Sequence, residues 1–145
     1  MRSTFAGLII TAVMLALVPS AARADDTSLR KTVATQAKKW EKAAKRYANS
    51  VKGLEDGDEA KLKSATRTFA KATRSFHGKV EAEEASSSKL RTARTKLLDG
   101  LETYDEALDK LIEAIDADSK SKLRSAQKKA DSAEKKLRSA AKAFS

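Results

Sequence analysis

Residues 90–115 read LRTARTKLLDGLETYDEALDKLIEAI, and the spacing of their apolar members decides the fold. Leu90, Ala93, Leu97, Leu101, Tyr104, Leu108, Leu111 and Ile115 recur at intervals of three and four. An α-helix turns once every 3.6 residues or so, so this alternation gathers them on one narrow stripe. That is the heptad pattern of a coiled-coil seam or a bundle core.

Working outward, the same spacing recurs three more times. Upstream lie Val33, Ala37, Trp40, Ala44, Tyr47, Val51 and Leu54, followed by Leu62, Ala65, Phe69, Ala72, Phe76 and Val80. Downstream lie Leu123, Ala126, Ala130, Ala133, Leu137, Ala140 and Phe144. The only proline, Pro19, precedes all four runs, and β-branched residues are sparse, so nothing competes for strand. The chain reads as all-α.

Breakers and caps set the boundaries. Gly57 suits a left-handed helix end, with Asp56 or Asp58 capping the next helix. Asp116 or Asp118 plays the same part before the last run. Ser86, Ser87 and Ser88 mark the middle turn, against a competing break at Gly78. The serine turn predicts helices over 27–54, 58–85, 88–116 and 118–145, each about 27 residues and about 40 Å long. Equal helices with short connections make an up-down-up-down four-helix bundle. The alternative is an elongated helical hairpin completed by dimerisation. The last run has only Leu123, Leu137 and Phe144 as large apolar residues. Burial stabilises by about 25 cal/mol per Å², so helix 4 is expected to fray first.

A different signal precedes the first run. Arg2 is followed by an apolar stretch over residues 8–18, then Pro19 and the small-x-small triplet Ala22-Arg23-Ala24. This predicts a cleaved signal peptide over 1–24, Sec export to a periplasmic or secreted location, and one helical-bundle domain over 25–145. The stretch is shorter than the roughly 20 residues of a spanning helix, although an uncleaved anchor is the alternative.

The whole chain carries 30 Lys+Arg against 20 Asp+Glu. Cutting after Ala24 removes Arg2 and Arg23 and leaves 28 against 20, still strongly basic. Such a chain is drawn to polyanions by its long-range field. Without cysteine there is no disulfide framework and no thiol chemistry.

Catalytic constellations are missing from the sequence. His77 is the single histidine, expected to face solvent, and no Glu-x-x-His pair, P-loop or nucleophile elbow occurs. The sequence therefore predicts no enzyme, no cofactor and no metal site. Asp99, Glu102, Asp105, Glu106, Asp109, Glu113 and Asp116 crowd helix 3. A calcium site needs a compact loop rather than one straight helix, so these read as a solvated face paired with neighbouring lysines. Trp40, Tyr47, Phe69, Phe76, Tyr104 and Phe144 all fall on the apolar stripes. None is spare to stack on bases, which argues against single-strand recognition, and no sequence-specific nucleic-acid partner is expected. The hydroxyls of Tyr47 and Tyr104 are expected at the bundle edge.

Charge by helix is the most informative pattern. Predicted helix 1 has eight basic residues and one acidic, helix 2 six and five, helix 3 five and seven, helix 4 nine and three. In an up-down-up-down bundle the first and last helices are neighbours. Lys38, Lys39, Lys42, Lys45, Arg46 and Lys52 are then expected to share a basic, anion-binding face with Lys128, Lys129, Lys135, Lys136, Arg138 and Lys142. Lys120, Lys122 and Arg124 are expected to pair instead with the acidic half of helix 3. The function this implies is an exported, non-enzymatic protein that docks an anionic polymer, an anionic membrane surface or an acidic protein. A periplasmic chaperone-like or protein-interaction module and a self-associating structural envelope protein are the alternatives.

Overall fold

Each apolar stripe becomes one helix. In the computed structural model, which describes residues 24–145 (24 and 25 by backbone alone), the helices are α1 (Ala24–Val51), α2 (Glu59–Glu81), α3 (Ser88–Asp116) and α4 (Lys120–Phe144). Among the described residues there is no strand. The signal peptide expected over 1–24 lies outside the described residues except for Ala24, where α1 begins.

The cross-helix bonds run antiparallel throughout, as a four-helix bundle requires. Thr32 near the start of α1 donates to Glu83 beyond the end of α2, while Tyr47 near the end of α1 meets Thr66 near the start of α2. Lys63 and Arg74 of α2 pair with Asp116 and Asp105 of α3, stepping in opposite directions. Lys129 and Lys136 of α4 pair with Glu106 and Asp99 of α3 in the same manner. At the bundle's end the Arg30 guanidinium donates to the Phe144 carbonyl at 2.8 Å, joining α1 to the tail of α4.

The core follows the stripes read from the sequence, with Val51, Leu54, Ala65 and Ala72 only partly buried and Leu29, Ala70, Ala107 and Ala114 added to it. Trp40 sits at its centre, 1% exposed, with ring centroids 5.5 Å from Phe69, 6.4 Å from Phe76 and 5.3 Å from Tyr104. Its indole N–H donates to the buried Thr73 hydroxyl at 2.9 Å. Thr73 in turn donates to the Phe69 carbonyl at 3.1 Å, so this buried polar pair has its needs met. The tyrosine hydroxyls depart from expectation and lie inside. Tyr47 is 4% exposed and accepts from Thr66 at 3.4 Å; Tyr104 is fully buried and its hydroxyl has no partner.

Helix 4 packs through its small residues. Its alanines Ala126, Ala130, Ala133 and Ala140 are all buried, and α3 and α4 form the bundle's closest backbone pair. Small side chains bury little area each but let the axes approach. Gly100 on α3 completes the approach: a Cβ there would stand 2.8 Å from Leu137 Cδ2 and 3.2 Å from the Leu137 backbone nitrogen.

The turns resolve as follows. Gly57 takes φ +104°, the left-handed conformation expected of it, and Gly78 lies inside α2. The middle turn is at the serines, with Ser87 capping α3 by accepting from the Leu90 amide. Helix α4 is capped by the Ser119 hydroxyl, which accepts from the Lys122 amide, rather than by Asp116 or Asp118. Asp118 instead adopts φ 45° in the turn.

Helix α2 stops four residues before the predicted end because α1 holds the following segment. Glu83 accepts from Ser28 and Thr32, and buried Asp26 accepts from the Ser86 amide and hydroxyl, both at 3.0 Å. Hydrogen bonds from Ser87 and Ser86 hold the Asp26 carboxyl below its usual value against the opposing effect of desolvation. A depressed folded-state pKa contributes stability above the unfolded value and loses it as pH falls through the folded one. Asp26→Asn is therefore expected to melt below the parent at pH 7. The gap between the two melting temperatures should begin to narrow below about pH 4 and close only as pH falls through the depressed folded-state pKa of Asp26. Thermal melts at pH 7 and pH 3 check this.

Candidate anion-binding face

The apolar stripe of α1 dictates what faces outward. With Leu29, Val33, Ala37, Trp40, Ala44 and Tyr47 turned to the core, the remaining positions of the helix are left to solvent. Lys38, Lys39, Lys42, Lys45, Arg46 and Lys52 are all exposed. Of these, only Lys45 has an ion-pair partner among the described residues, Glu41 one turn away at 2.8 Å. Glu41 is also the one acidic residue that the sequence offers between positions 27 and 54.

The cations of α4 divide into two groups. Lys128, Lys135 and Lys142 are exposed and unpaired, while Arg138 lies 3.7 Å from Glu134. Lys129 and Lys136, half-buried, turn toward α3. Lys129 pairs with Glu106, and Lys136 reaches Asp99 at 2.9 Å and the Thr103 hydroxyl at 3.2 Å. These two ammoniums serve the bundle rather than its outer face. The pairing expected of Lys120, Lys122 and Arg124 does not form; all three are exposed without an ion pair.

The acidic ladder of α3 is largely neutralised from both sides. Arg74 of α2 binds Asp105 at 2.8 Å and Asp109 at 3.1 Å, and Lys63 binds Asp116. Lys129 and Lys136 cover the other flank. Among the described residues no group of three or more His, Cys, Asp and Glu side chains is placed to hold a metal ion. His77 is half-buried rather than fully solvent-facing, 3.8 Å from Glu81 and beside Arg74, Glu102 and Asp105 in a small α2–α3 cleft.

The face is not one continuous wall. Helices α1 and α4 are not among the closely packed backbone pairs, and acidic groups lie along the seam between them. Glu41 sits three turns along α1 from Arg30, the residue that reaches α4. Glu134 sits on the flank of α4 opposite Lys129 and Lys136, its carboxyl pushed up by burial and Asp131 against the pull of Arg138. The exposed cations thus form two stripes, with α1 carrying the less interrupted one. Lysine ammoniums on flexible stems are point charges with three donors and no acceptor. Such a stripe binds by counterion release, not by a shaped pocket.

One feature had no local signal in the sequence. Gly100 reads there as an isolated glycine, and its contact with Leu137 is a tertiary fact. The inward turn of Lys129 and Lys136 does have a signal: they are seven residues apart, as are Asp99 and Glu106, which antiparallel helices bring into register.

No family model matches the chain, and no curated protein or solved structure compared with it is significantly similar.

Proposed function

We propose that this chain is an exported, non-enzymatic binding protein that docks an anionic partner through the outer face of α1, with the exposed cations of α4 as a flanking stripe. The partner class is an envelope polymer, a headgroup surface or an acidic protein. The observation that carries the reading is that Lys38, Lys39, Lys42, Arg46 and Lys52 are exposed and form no ion pair among the described residues, whereas most carboxylates of α3 are matched internally. A protein that needed charge for solubility alone has no reason to segregate it on one helix. Among the described residues no helix is long and apolar enough to cross a membrane, so an anionic bilayer would be met at its surface.

Reversing Lys38, Lys39 and Lys42 together to Glu should abolish retention on heparin and on vesicles containing phosphatidylglycerol at about 0.15 M salt, with helix content and melting temperature unchanged within about 3 °C. Unchanged retention by a folded triple variant would overturn the assignment.

A further inference from the structure

We infer that the trough between α1 and α2 takes the acyl chain of a single-chain anionic amphiphile and holds its headgroup at Arg46 and Lys61. This rests on the anion-docking reading above and names a ligand class for it.

The trough exists because small residues face each other where a bundle seam usually carries larger ones. Ala43 on α1 opposes Ala65 and Ala72 on α2, leaving an open volume of about 680 Å³. Its floor is apolar and rigid: the rings of Tyr47 and Phe69, 4% and 2% exposed, stack with centroids 5.3 Å apart. The hydroxyls on its walls are engaged with their own helices. Ser50 donates to the Arg46 carbonyl at 2.8 Å and Thr68 to the Ser64 carbonyl at 3.0 Å, so they make little demand on an occupant.

Charge selects the occupant's sign. The trough is lined by two cations, Arg46 and Lys61, and by no carboxylate. Among the described residues Arg46 has no ion pair, and Lys61 is held by Asp58, which lies outside the lining. The two clefts between α2 and α3 are different. There Arg74 is bonded to Asp105 and Asp109, and each cleft carries a further carboxylate in its lining, Glu102 in one and Glu113 in the other, that would oppose an anionic ligand.

Size selects the occupant's form. The volume falls within the roughly 300–1,000 Å³ of small-molecule sites. Along α2 the lining runs over residues 61–72, about 16 Å at 1.5 Å per residue. That length suits an extended alkyl chain. A docked helix, about 10 Å wide with its side chains, calls for a wider and longer apolar groove. A flat bilayer surface cannot enter a recess. The long stems of Arg46 and Lys61 can lie along the chain while their charged heads meet a carboxylate or phosphate at the rim.

The test is calorimetric titration of the purified protein with decanoate, dodecanoate and tetradecanoate, each below its micellar concentration. Saturable one-site binding is expected, tightening about two- to fourfold per added methylene. Ala65→Phe fills the trough and should weaken dodecanoate at least tenfold, with heparin retention unchanged. Ala43→Leu serves the same purpose from the opposite wall if Ala65→Phe lowers helix content. Arg46→Gln with Lys61→Gln should weaken dodecanoate while sparing dodecanol. Absence of saturable dodecanoate binding in protein that still binds heparin overturns this inference and leaves the docking reading standing. Heparin retention that is unchanged when the α1 lysines are reversed, with dodecanoate still bound, does the reverse. An acidic amphipathic peptide that binds, is blocked by Ala65→Phe and is not displaced by dodecanoate would overturn the amphiphile in favour of a protein partner.

Discussion

Trp40→Ala should lower the unfolding free energy by about 3–5 kcal/mol, the usual cost of emptying a large aromatic site in a packed core. Trp40 is 1% exposed and touches rings from both α2 and α3, so no single neighbour can move in to close the space. The substitution also leaves the Thr73 hydroxyl without its donor, in a position that is fully buried. Against a total stability of about 5–15 kcal/mol, typical of single domains, the loss is large enough to broaden or abolish cooperative melting. Trp40→Phe keeps much of the ring packing and loses the hydrogen bond, so it should fall between the parent and Trp40→Ala. Urea unfolding followed by circular dichroism measures both, since the only tryptophan is gone from each variant.

Gly100→Ala and Gly78→Ala, the same chemical change in two helices, should move stability in opposite directions. Alanine is favoured over glycine in a helix interior by about 1 kcal/mol. At Gly78, where nothing stands within 4 Å of the added Cβ, that preference acts alone and the protein should gain about 0.5–1 kcal/mol. At Gly100 the added methyl meets Leu137 at 2.8 Å. Leu137 is fully buried, and its backbone nitrogen is among the close atoms, so a rotamer change does not relieve the contact. Overpacking of this kind costs about 1–3 kcal/mol and, set against that preference, should leave a net loss of up to about 2 kcal/mol. Paired denaturation curves check the signs; a stabilised Gly100→Ala would show that α3 and α4 are not so closely set.

The bundle itself was legible because a 3-4 repeat leaves few alternatives. The run from Leu90 to Ile115 predicts a helix over 88–116, the very bounds of α3, since its apolar members are large and Ser87 supplies a cap. The remaining boundaries shifted where distant partners intervened. Helix α2 ends at Glu81 because Asp26 and Glu83 tie the following segment to α1 across more than fifty positions, and no local pattern encodes such bonds. The expected fraying of helix 4 came from counting buried area alone. Area does not register that alanines, facing Gly100, let two helices come together.

The candidate face was legible in composition and only partly in geometry. Charge by helix picked out α1, and each of its named cations is exposed. It could not separate Lys128 from Lys129, adjacent in sequence yet on opposite sides of a boundary, one in solvent and the other on Glu106. Nor did it register Glu41 and Glu134 along the seam, because two acids barely alter a helix total.

The central claim is that unpaired cations on α1, and not the paired ones on α4, meet the anionic partner. The most direct measurement is the slope of log affinity against log salt for heparin, taken for the parent, for Lys38/Lys39/Lys42→Gln and for Lys129/Lys136→Gln. Each cation that displaces a counterion contributes just under one unit to that slope. The account predicts a slope shallower by about two to three units for the α1 variant and one unchanged within about half a unit for the α4 variant. Equal slopes in the parent and the α1 variant, or a larger change in the α4 variant, would contradict it.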